Sequence, residues 1–292
     1  MASSDMKNDD VLAKEMNRWS GHANAYTNVE RLTLPLAIQL AQWVDSVLPF
    51  ATHGASALDD GCGSGVLGSA IKTVCPAVPL LSCDVAEGML SQAQSRAKKE
   101  QWSAPCDFQI LDARNLEGVP DASITHLMSQ YMICLAPEPD RIAQEMYRVL
   151  KPGGVLGLGT YGLPRFDHVY YPWVIAAWKI GVLDFEILDL MASKWTKPAS
   201  VKDALEEAGF KDVEVREKMV DWEFESLAKA MHYAFREGNP AMEAYKQAWR
   251  EKSGKDTDVF EPVYAEEMGK LYEQEDGRVV IPIKVVFCIG RK

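Results

Sequence analysis

The sequence lacks the features that mark nucleic acid-binding and membrane proteins. It has no dense run of Lys or Arg, and its formal net charge at pH 7 is −11. A surface of this charge repels nucleic acid phosphates and anionic lipid, so we expect neither class of partner. The most apolar stretch, residues 170–183, is interrupted by Pro172 and Lys179 and is too short to span a bilayer.

Closely spaced cysteine pairs are also missing. The six cysteines form no Cys-x-x-Cys pair, and most of them lie in apolar stretches. This pattern predicts reduced thiols, with no disulfide framework and no metal site. The first ten residues are polar and acidic, unlike a secretory or transit peptide, and we therefore expect a cytoplasmic protein.

The first half of the chain alternates short β-like runs with helical periods, which is typical of a parallel sheet covered by helices. We predict a helix over 32–47 and strands over 55–58, 78–83, 107–111, 124–129 and 155–160. The helix over 140–150 is predicted to stop at the turn Lys151-Pro152-Gly153-Gly154. The prediction is an α/β domain with helices on both faces of the sheet.

The second half departs from this alternation. Residues 163–197 are rich in aromatic side chains, and a helix over 200–209 leads into a strand that begins at 213. Two or three helices follow between 224 and 276, one of them capped by Asn239 with Pro240 at its first position. A closing strand is predicted over 279–289. We expect one domain over 1–292, with insertions 163–197 and 224–276 packed over the sheet edge as a substrate lid.

A glycine-rich turn stands between the first strand and an apolar helix. It reads Asp59-Asp60-Gly61-Cys62-Gly63-Ser64-Gly65. Glycines allow the backbone to approach a ligand without an intervening Cβ atom, and the start of the following helix offers free N–H groups. The turn therefore predicts a ligand site at the carboxyl end of the first strand.

This turn resembles motif I of the class I, Rossmann-like S-adenosylmethionine (SAM)-dependent methyltransferases that act on small molecules. The resemblance implies that Gly61, Gly63 and Gly65 hold the methionine end of SAM and that Asp59 helps to bind its ammonium group. It also implies a seven-stranded, mostly parallel sheet of order 3-2-1-4-5-7-6, with the last strand antiparallel. The resemblance covers about residues 20–160, 195–221 and 278–292.

Later segments match further motifs of the same family. Asp84 ends the second strand, 25 residues after Asp59, and a carboxylate placed there can accept both ribose hydroxyl groups. The resemblance implies adenine contacts and contacts to the methionine part at strand 4, and it implies a tyrosine near the SAM carboxylate. The residues that carry these expected roles are Val85, Met89, Asp112 and Ala113 for adenine, Ser129 and Gln130 for methionine, and Tyr26 for the carboxylate.

Two positions depart from the family pattern. Cys134-Leu135 stand where small-molecule relatives often carry paired histidines, so no base is inherited from that place. Thr125 replaces the aspartate that usually opens strand 4, and we expect this to weaken a structural contact.

The resemblance implies transfer of a methyl group from SAM, leaving S-adenosylhomocysteine, without a metal. The aromatic insertions favour a small aromatic or hydrophobic acceptor, as in secondary metabolism, methylated at O, N, S or C. We predict a pocket lined by Tyr131, Tyr161, Tyr170, Trp173 and His232. Candidate bases are His168 and His232, with His22 as a further candidate, and the protein is expected to be a monomer or homodimer.

Two other functions remain open at this point. Gly63-x-Gly65-x-x-Gly68 also fits the dinucleotide pattern of an NAD(P)-dependent oxidoreductase. Asp59 and Asp60 would repel a pyrophosphate, and no Tyr-x-x-x-Lys pair stands at a suitable place. The third possibility is a protein with the methyltransferase fold that catalyses a non-methyl reaction.

Overall fold

The computed structural model describes residues 13, 16–17, 19–21, 29–103, 105–163 and 166–292. Tyr26 and His22, both predicted to lie near the donor, fall outside these residues. Within the described part of the chain, no helix has the length and apolar character needed to cross a membrane.

The sheet has seven strands in the order β3-β2-β1-β4-β5-β7-β6, with the last strand antiparallel, which confirms the predicted fold. The strands are β1 (Ala57–Asp60), β2 (Leu80–Asp84), β3 (Cys106–Ile110), β4 (Ile124–Gln130), β5 (Leu150–Tyr161), β6 (Lys211–Phe224) and β7 (Val279–Arg291). The helices are α1 (Glu30–Val47), α2 (Val66–Val74), α3 (Glu87–Lys99), α4 (Pro139–Val149), α5 (Tyr171–Lys179), α6 (Pro198–Glu207), α7 (Leu227–Phe235), α8 (Pro240–Ser253) and α9 (Glu261–Tyr272).

The central strands are parallel, and their register brings their carboxyl ends to one edge. Every residue of β1 is buried, as expected for a strand with neighbours on both sides and helices on both faces. Asp60 pairs with Cys83 of β2, and Asp59 pairs with Met128 of β4. The acids that end β1 and β2 therefore lie close together in the sheet.

The opposite, amino end of the same strands is closed by polar contacts. The Thr125 hydroxyl accepts the Ser56 N–H at 2.8 Å and donates to the Ser56 carbonyl at 2.8 Å. His126 is buried in β4, where its Nε2 donates to the Leu48 carbonyl at 2.9 Å. Thr125 thus joins β4 to the residue that precedes β1.

Strand β5 begins earlier than predicted, at Leu150, and contains the Lys-Pro-Gly-Gly segment. Leu150 pairs with Ile124 while Val155 pairs with His126, so the intervening residues form a bulge. Gly153 has a φ of +79°, and its N–H donates to the Lys292 carbonyl at 2.9 Å. The segment continues the strand because its backbone finds partners at the end of the chain.

The chain divides into two compact units. Of the described residues, the first unit comprises those up to 161 together with 191–217 and 286–292, and the second comprises those in 162–190 and 218–285. The second unit therefore differs at its limits from the predicted insertions, since 191–197 lie in the first unit and 218–223 and 277–285 in the second. Strand β6 is also longer than the predicted minimum.

The second unit has an aromatic core centred on Trp173. Its indole lies 5.0 Å from the rings of Phe235 and Phe260 and 5.1 Å from that of Tyr264. Helix α8 begins as predicted, because the Asn239 side chain accepts the Ala241 N–H at 2.9 Å and Pro240 follows it. Aromatic packing and helix capping therefore define this unit.

Candidate active site

A pocket lies in the first unit, at the carboxyl ends of β1, β2 and β4. The glycine turn forms one side of it, and the segments that follow β2, β3 and β4 complete it. Open α/β sheets bind ligands at this edge, where loops leave the strands. The topology alone therefore places the pocket where the glycine turn predicts a ligand.

The glycines of the turn have distinct structural roles. A Cβ atom at Gly61, whose φ is +70°, would lie 2.5 Å from Met132 Cγ, so no side chain fits there. A Cβ at Gly63, whose φ is +53°, would meet nothing within 4 Å, although this residue lines the pocket. The backbone at Gly63 therefore faces open space that a ligand can occupy.

Asp84 ties this turn to the end of β2. Its Oδ2 accepts the Gly63 N–H at 2.9 Å, and its Oδ1 accepts the Ala86 N–H at 2.8 Å. Burial raises the pKa of Asp84, and these backbone N–H groups oppose the rise. Each carboxylate oxygen keeps a second lone pair, so Asp84 can still accept hydrogen bonds from two hydroxyl groups of a ligand.

Asp59 and Asp60 are both buried and both line the pocket. Neither oxygen of Asp59 accepts a well-formed hydrogen bond from a described residue, although the Gly68 backbone N–H lies close enough to oppose the rise of the Asp59 pKa; Oδ2 of Asp60 has no partner among the described residues. Burial, followed by the neighbouring Asp60 carboxylate, raises the pKa of Asp59 well above its ordinary value. Burial likewise raises the pKa of Asp60 to about 7. Unpaired carboxylates in such surroundings favour a positively charged ligand.

Asp112 contributes a fourth acid, paired with a cation that the sequence analysis did not select. Arg114 Nη2 donates to Asp112 Oδ2 at 2.7 Å, and Arg114 Nη1 donates to Glu138 Oε1 at 2.8 Å. Both Asp112 and Arg114 line the pocket. The charge of Arg114 is therefore shared between two carboxylates, which leaves the pocket acidic.

The glycine turn is supported from behind by contacts distant in sequence. Arg96 of α3 donates from Nε to the Ser64 carbonyl at 2.8 Å and forms an ion pair with Glu30 of α1. The Ser64 hydroxyl donates to Glu30 Oε1 at 2.8 Å. These three side chains fix the turn between α1 and α3, and no local sequence pattern indicated them.

Apolar side chains form the remaining walls. Trp19 packs against Ala86 and Met89, and both Trp19 and Met89 line the pocket. Tyr131, which also lines it, stacks on Tyr161 with ring centroids 4.4 Å apart. The pocket thus combines acids with apolar surfaces suited to a flat ring.

The pocket brings together most of the residues predicted to contact a donor. The predicted residues that line it are Asp59, Gly61, Gly63, Asp84, Val85, Met89, Asp112, Ala113, Gln130 and Tyr131. Gly65 lies behind the turn as the N-cap of α2, and Ser129 is buried within β4. Additional lining residues that the sequence analysis did not select include Asp60, Cys62, Arg114, Met132 and Leu135.

The other predicted residues lie in the second unit. Tyr170 and Trp173 are buried there among aromatic rings, with Tyr170 stacked on Tyr245 at 4.7 Å. His168 lies in a short 3₁₀ helix, 4.9 Å from the ring of Tyr171. His232 lies on α7 with its side chain 59% exposed and its Nε2 4.0 Å from Glu237 Oε1.

The four acids and the open turn suit a particular kind of ligand. Such a ligand carries positive charge, offers hydroxyl groups to Asp84 and presents a flat apolar group to the walls. Among the described residues, no group of three or more His, Cys, Asp and Glu side chains is placed to hold a metal ion.

The segment that supplies most of the pocket residues matches a known domain. Residues 58–158 match the family described as a methyltransferase domain. The chain is 26% identical over 222 residues to the methyltransferase UcsB of Acremonium, covering 72% of this chain and 74% of that protein. It is 27% identical over 209 residues to a malonyl-[acyl-carrier protein] O-methyltransferase of Brevibacillus brevis, covering 69% and 70% of the two chains.

A solved structure shares the fold. The structure of a putative methyltransferase from Bacillus halodurans superposes with a TM-score of 0.54 at 19% identity. The match covers 85% of this chain and 98% of that one.

Proposed function

The chain is a class I, SAM-dependent methyltransferase by family, with its methyltransferase domain at residues 58–158, and from that premise we propose that it methylates a small aromatic or hydrophobic metabolite. The acceptor atom in this proposal is a nucleophilic O, N, S or C. Methyl transfer then proceeds by in-line displacement.

The observation that carries the donor assignment is the charge of the pocket. Asp59, Asp60, Asp84 and Asp112 line it, and the charge of Arg114 is shared between Asp112 and Glu138. SAM carries a sulfonium and an ammonium group, which such a pocket attracts. A dinucleotide would bring a pyrophosphate against the same acids, so the pocket disfavours the NAD(P)-dependent alternative.

The pocket residues fit the parts of SAM. Asp59 would bind the ammonium group, and Gly63 leaves room for the methionine chain. Asp84 would accept the ribose hydroxyl groups. Val85 and Met89 would pack on the adenine, with Asp112 and Ala113 at its edge.

When bound, SAM supplies a methyl group already activated by its sulfonium. The chain has to orient the acceptor and exclude water, and positioning of this kind lowers a barrier by roughly 7–11 kcal/mol. The stacked Tyr131 and Tyr161 offer electron-rich faces beside the pocket. Tyr170 and Trp173, predicted as acceptor contacts, are buried among aromatic rings of the second unit, where they serve as core residues.

The test of the donor assignment is calorimetric titration of the purified protein with SAM, S-adenosylhomocysteine and NADPH. Asp84→Ala is measured in parallel, with the exposed Asp107→Ala as a control of equal charge change. We expect micromolar binding of the adenosyl ligands alone, lost in Asp84→Ala and kept in Asp107→Ala. Binding of NADPH, or no adenosyl binding, would overturn the proposal.

Acceptors are then screened by mass spectrometry for the addition of a methyl group. SAM binding without methylation of any acceptor would favour the remaining alternative, a non-methyl reaction on this fold.

Once an acceptor is found, His168→Asn and His232→Asn test the two proposed bases. A base role predicts that kcat falls by 100-fold or more at unchanged SAM affinity; unchanged kcat in both variants would exclude it.

A further inference from the structure

Asp60 is an unusual member of the pocket wall. It is the last residue of β1, only 1% exposed, and it lines the pocket beside the glycine turn. Its Oδ1 accepts a weak hydrogen bond from the Cys83 thiol at 3.5 Å, and its Oδ2 has no partner among the described residues. The protein thus supplies only one neutral donor to this carboxylate.

The charged groups that face Asp60 are all acidic. They are the adjacent Asp59, Asp84 at the end of β2, Asp112 after β3 and Glu145 of α4, with the thiols of Cys62 and Cys83 beside them. The nearby arginines are engaged elsewhere, since Arg114 pairs with Asp112 and Arg148 pairs with Glu145. A negative charge on Asp60 is therefore poorly compensated by the protein, and burial raises its pKa to about 7.

The donor and its product differ by one positive charge at the sulfur. SAM is a sulfonium, whereas S-adenosylhomocysteine is a neutral thioether of nearly the same shape. Contacts to adenine, ribose and the amino acid group are shared by both ligands and cancel in the ratio of their affinities. That ratio therefore measures how strongly the pocket responds to the charge on sulfur.

Resting on the proposed function, we propose that Asp60 is a specificity-determining residue that makes the site prefer the cationic donor over the neutral product, increasingly so as the pH rises. The ionised carboxylate attracts the sulfonium and gives the thioether no equivalent gain. At low pH the carboxyl group is protonated, and the affinities of the two ligands become more similar. Product release is thereby favoured at neutral and alkaline pH.

The test is calorimetry of SAM and S-adenosylhomocysteine between pH 5.5 and 8.5. We expect the ratio of dissociation constants, product over donor, to rise about tenfold over this range in the native protein. In Asp60→Asn the rise should shrink to less than about threefold, while Asp107→Asn should behave like the native protein. A pH-independent ratio in the native protein, or an undiminished rise in Asp60→Asn, would overturn the proposal.

A second measurement does not depend on the variant folding. At pH 7, binding of SAM should release more protons than binding of S-adenosylhomocysteine, as measured by calorimetry in buffers of different ionisation enthalpy. Equal proton release for the two ligands contradicts the role of Asp60. Failure of both ligands to bind would instead overturn the proposed function itself, so the two failures are distinguishable.

Discussion

The two ends of strands β1 and β4 bury polar groups in opposite ways. At the amino end, Ser56, Thr125 and His126 are joined by hydrogen bonds to one another or to the Leu48 carbonyl. At the carboxyl end, Asp59 and Asp60 are more deeply buried than the half-buried Ser56 and Thr125, yet three of their four oxygens accept no well-formed hydrogen bond in the described part of the chain.

The difference shows how stability and binding are distributed along one pair of strands. A buried polar group that lacks a partner costs roughly 1–3 kcal/mol, whereas a bonded one contributes about 1 kcal/mol to stability. The amino end therefore stabilises the sheet. The carboxyl end destabilises the ligand-free protein, and a cationic ligand would recover part of that cost.

The largest effect on SAM binding that sharpens this comparison is expected from Asp59→Asn. Loss of the charge should weaken SAM binding by about 100-fold, because the ammonium group loses its proposed partner. The free energy of unfolding without ligand should not fall, because an unpaired buried charge has been removed. Calorimetry and urea denaturation measure the two quantities. Normal SAM affinity together with lower stability would show that Asp59 is a structural residue.

Asp60→Asn should change how stability depends on pH. In the folded protein the pKa of Asp60 is about 7, against 3.8 as its ordinary value. Between these values the folded state holds a proton that the unfolded state has lost, so the free energy of unfolding falls as pH rises through this window. Asp60→Asn should therefore be more stable than the native protein at pH 8, by up to about 4 kcal/mol at about 1.4 kcal/mol per pKa unit, and nearly equal to it at pH 4. Denaturation curves at the two pH values decide this.

His126 should produce the opposite dependence at the amino end. Burial lowers the pKa of His126, so the folded state keeps it neutral while the unfolded state gains a proton. Its contribution to stability is thus lost as the pH falls below the ordinary value of 6.5. We expect His126→Ala to lower the free energy of unfolding by about 1–2 kcal/mol at pH 8. The variant should also lose less of its free energy of unfolding than the native protein when the pH is lowered below 6.5. SAM affinity should not change.

The smallest effect is expected from Thr125→Val. This change removes the hydroxyl that joins β4 to Ser56 and should lower the free energy of unfolding by about 1 kcal/mol, with SAM affinity unchanged. Chemical denaturation and calorimetry test both parts. A loss of SAM binding comparable to that of Asp59→Asn would remove the distinction between the two ends of the strands.

Local patterns predicted the alternation of strands and helices and the ligand turn, whereas the family resemblance supplied the strand order and the residues expected at the donor. The glycine turn and the acids that end β1 and β2 are short segments whose geometry depends mainly on their own residues. Strand β6 was underestimated because its residues are largely exposed at the edge of the sheet and show little apolar alternation. The bulge in β5 depends on the partner strand and on Lys292, which lies far along the chain.

Contacts between distant segments limited the prediction of the site. Arg96 supports the turn through Glu30 and Ser64, and Arg114 balances Asp112 and Glu138. Neither arginine belongs to a sequence motif from which these contacts could be predicted. Aromatic side chains were predicted in the second unit, but Trp173 required the packing of four helices to appear as the centre of a core.

Cys62, within the glycine turn, can report chemically on whether the pocket is occupied. Cys62 lines the pocket and is buried, and burial raises the pKa of its thiol. Alkylating reagents attack thiolates, so Cys62 should react more slowly than the half-buried Cys75 and Cys106. Because Cys62 lines the pocket, slower alkylation in the presence of a ligand would locate that ligand there without a label or an assay of turnover.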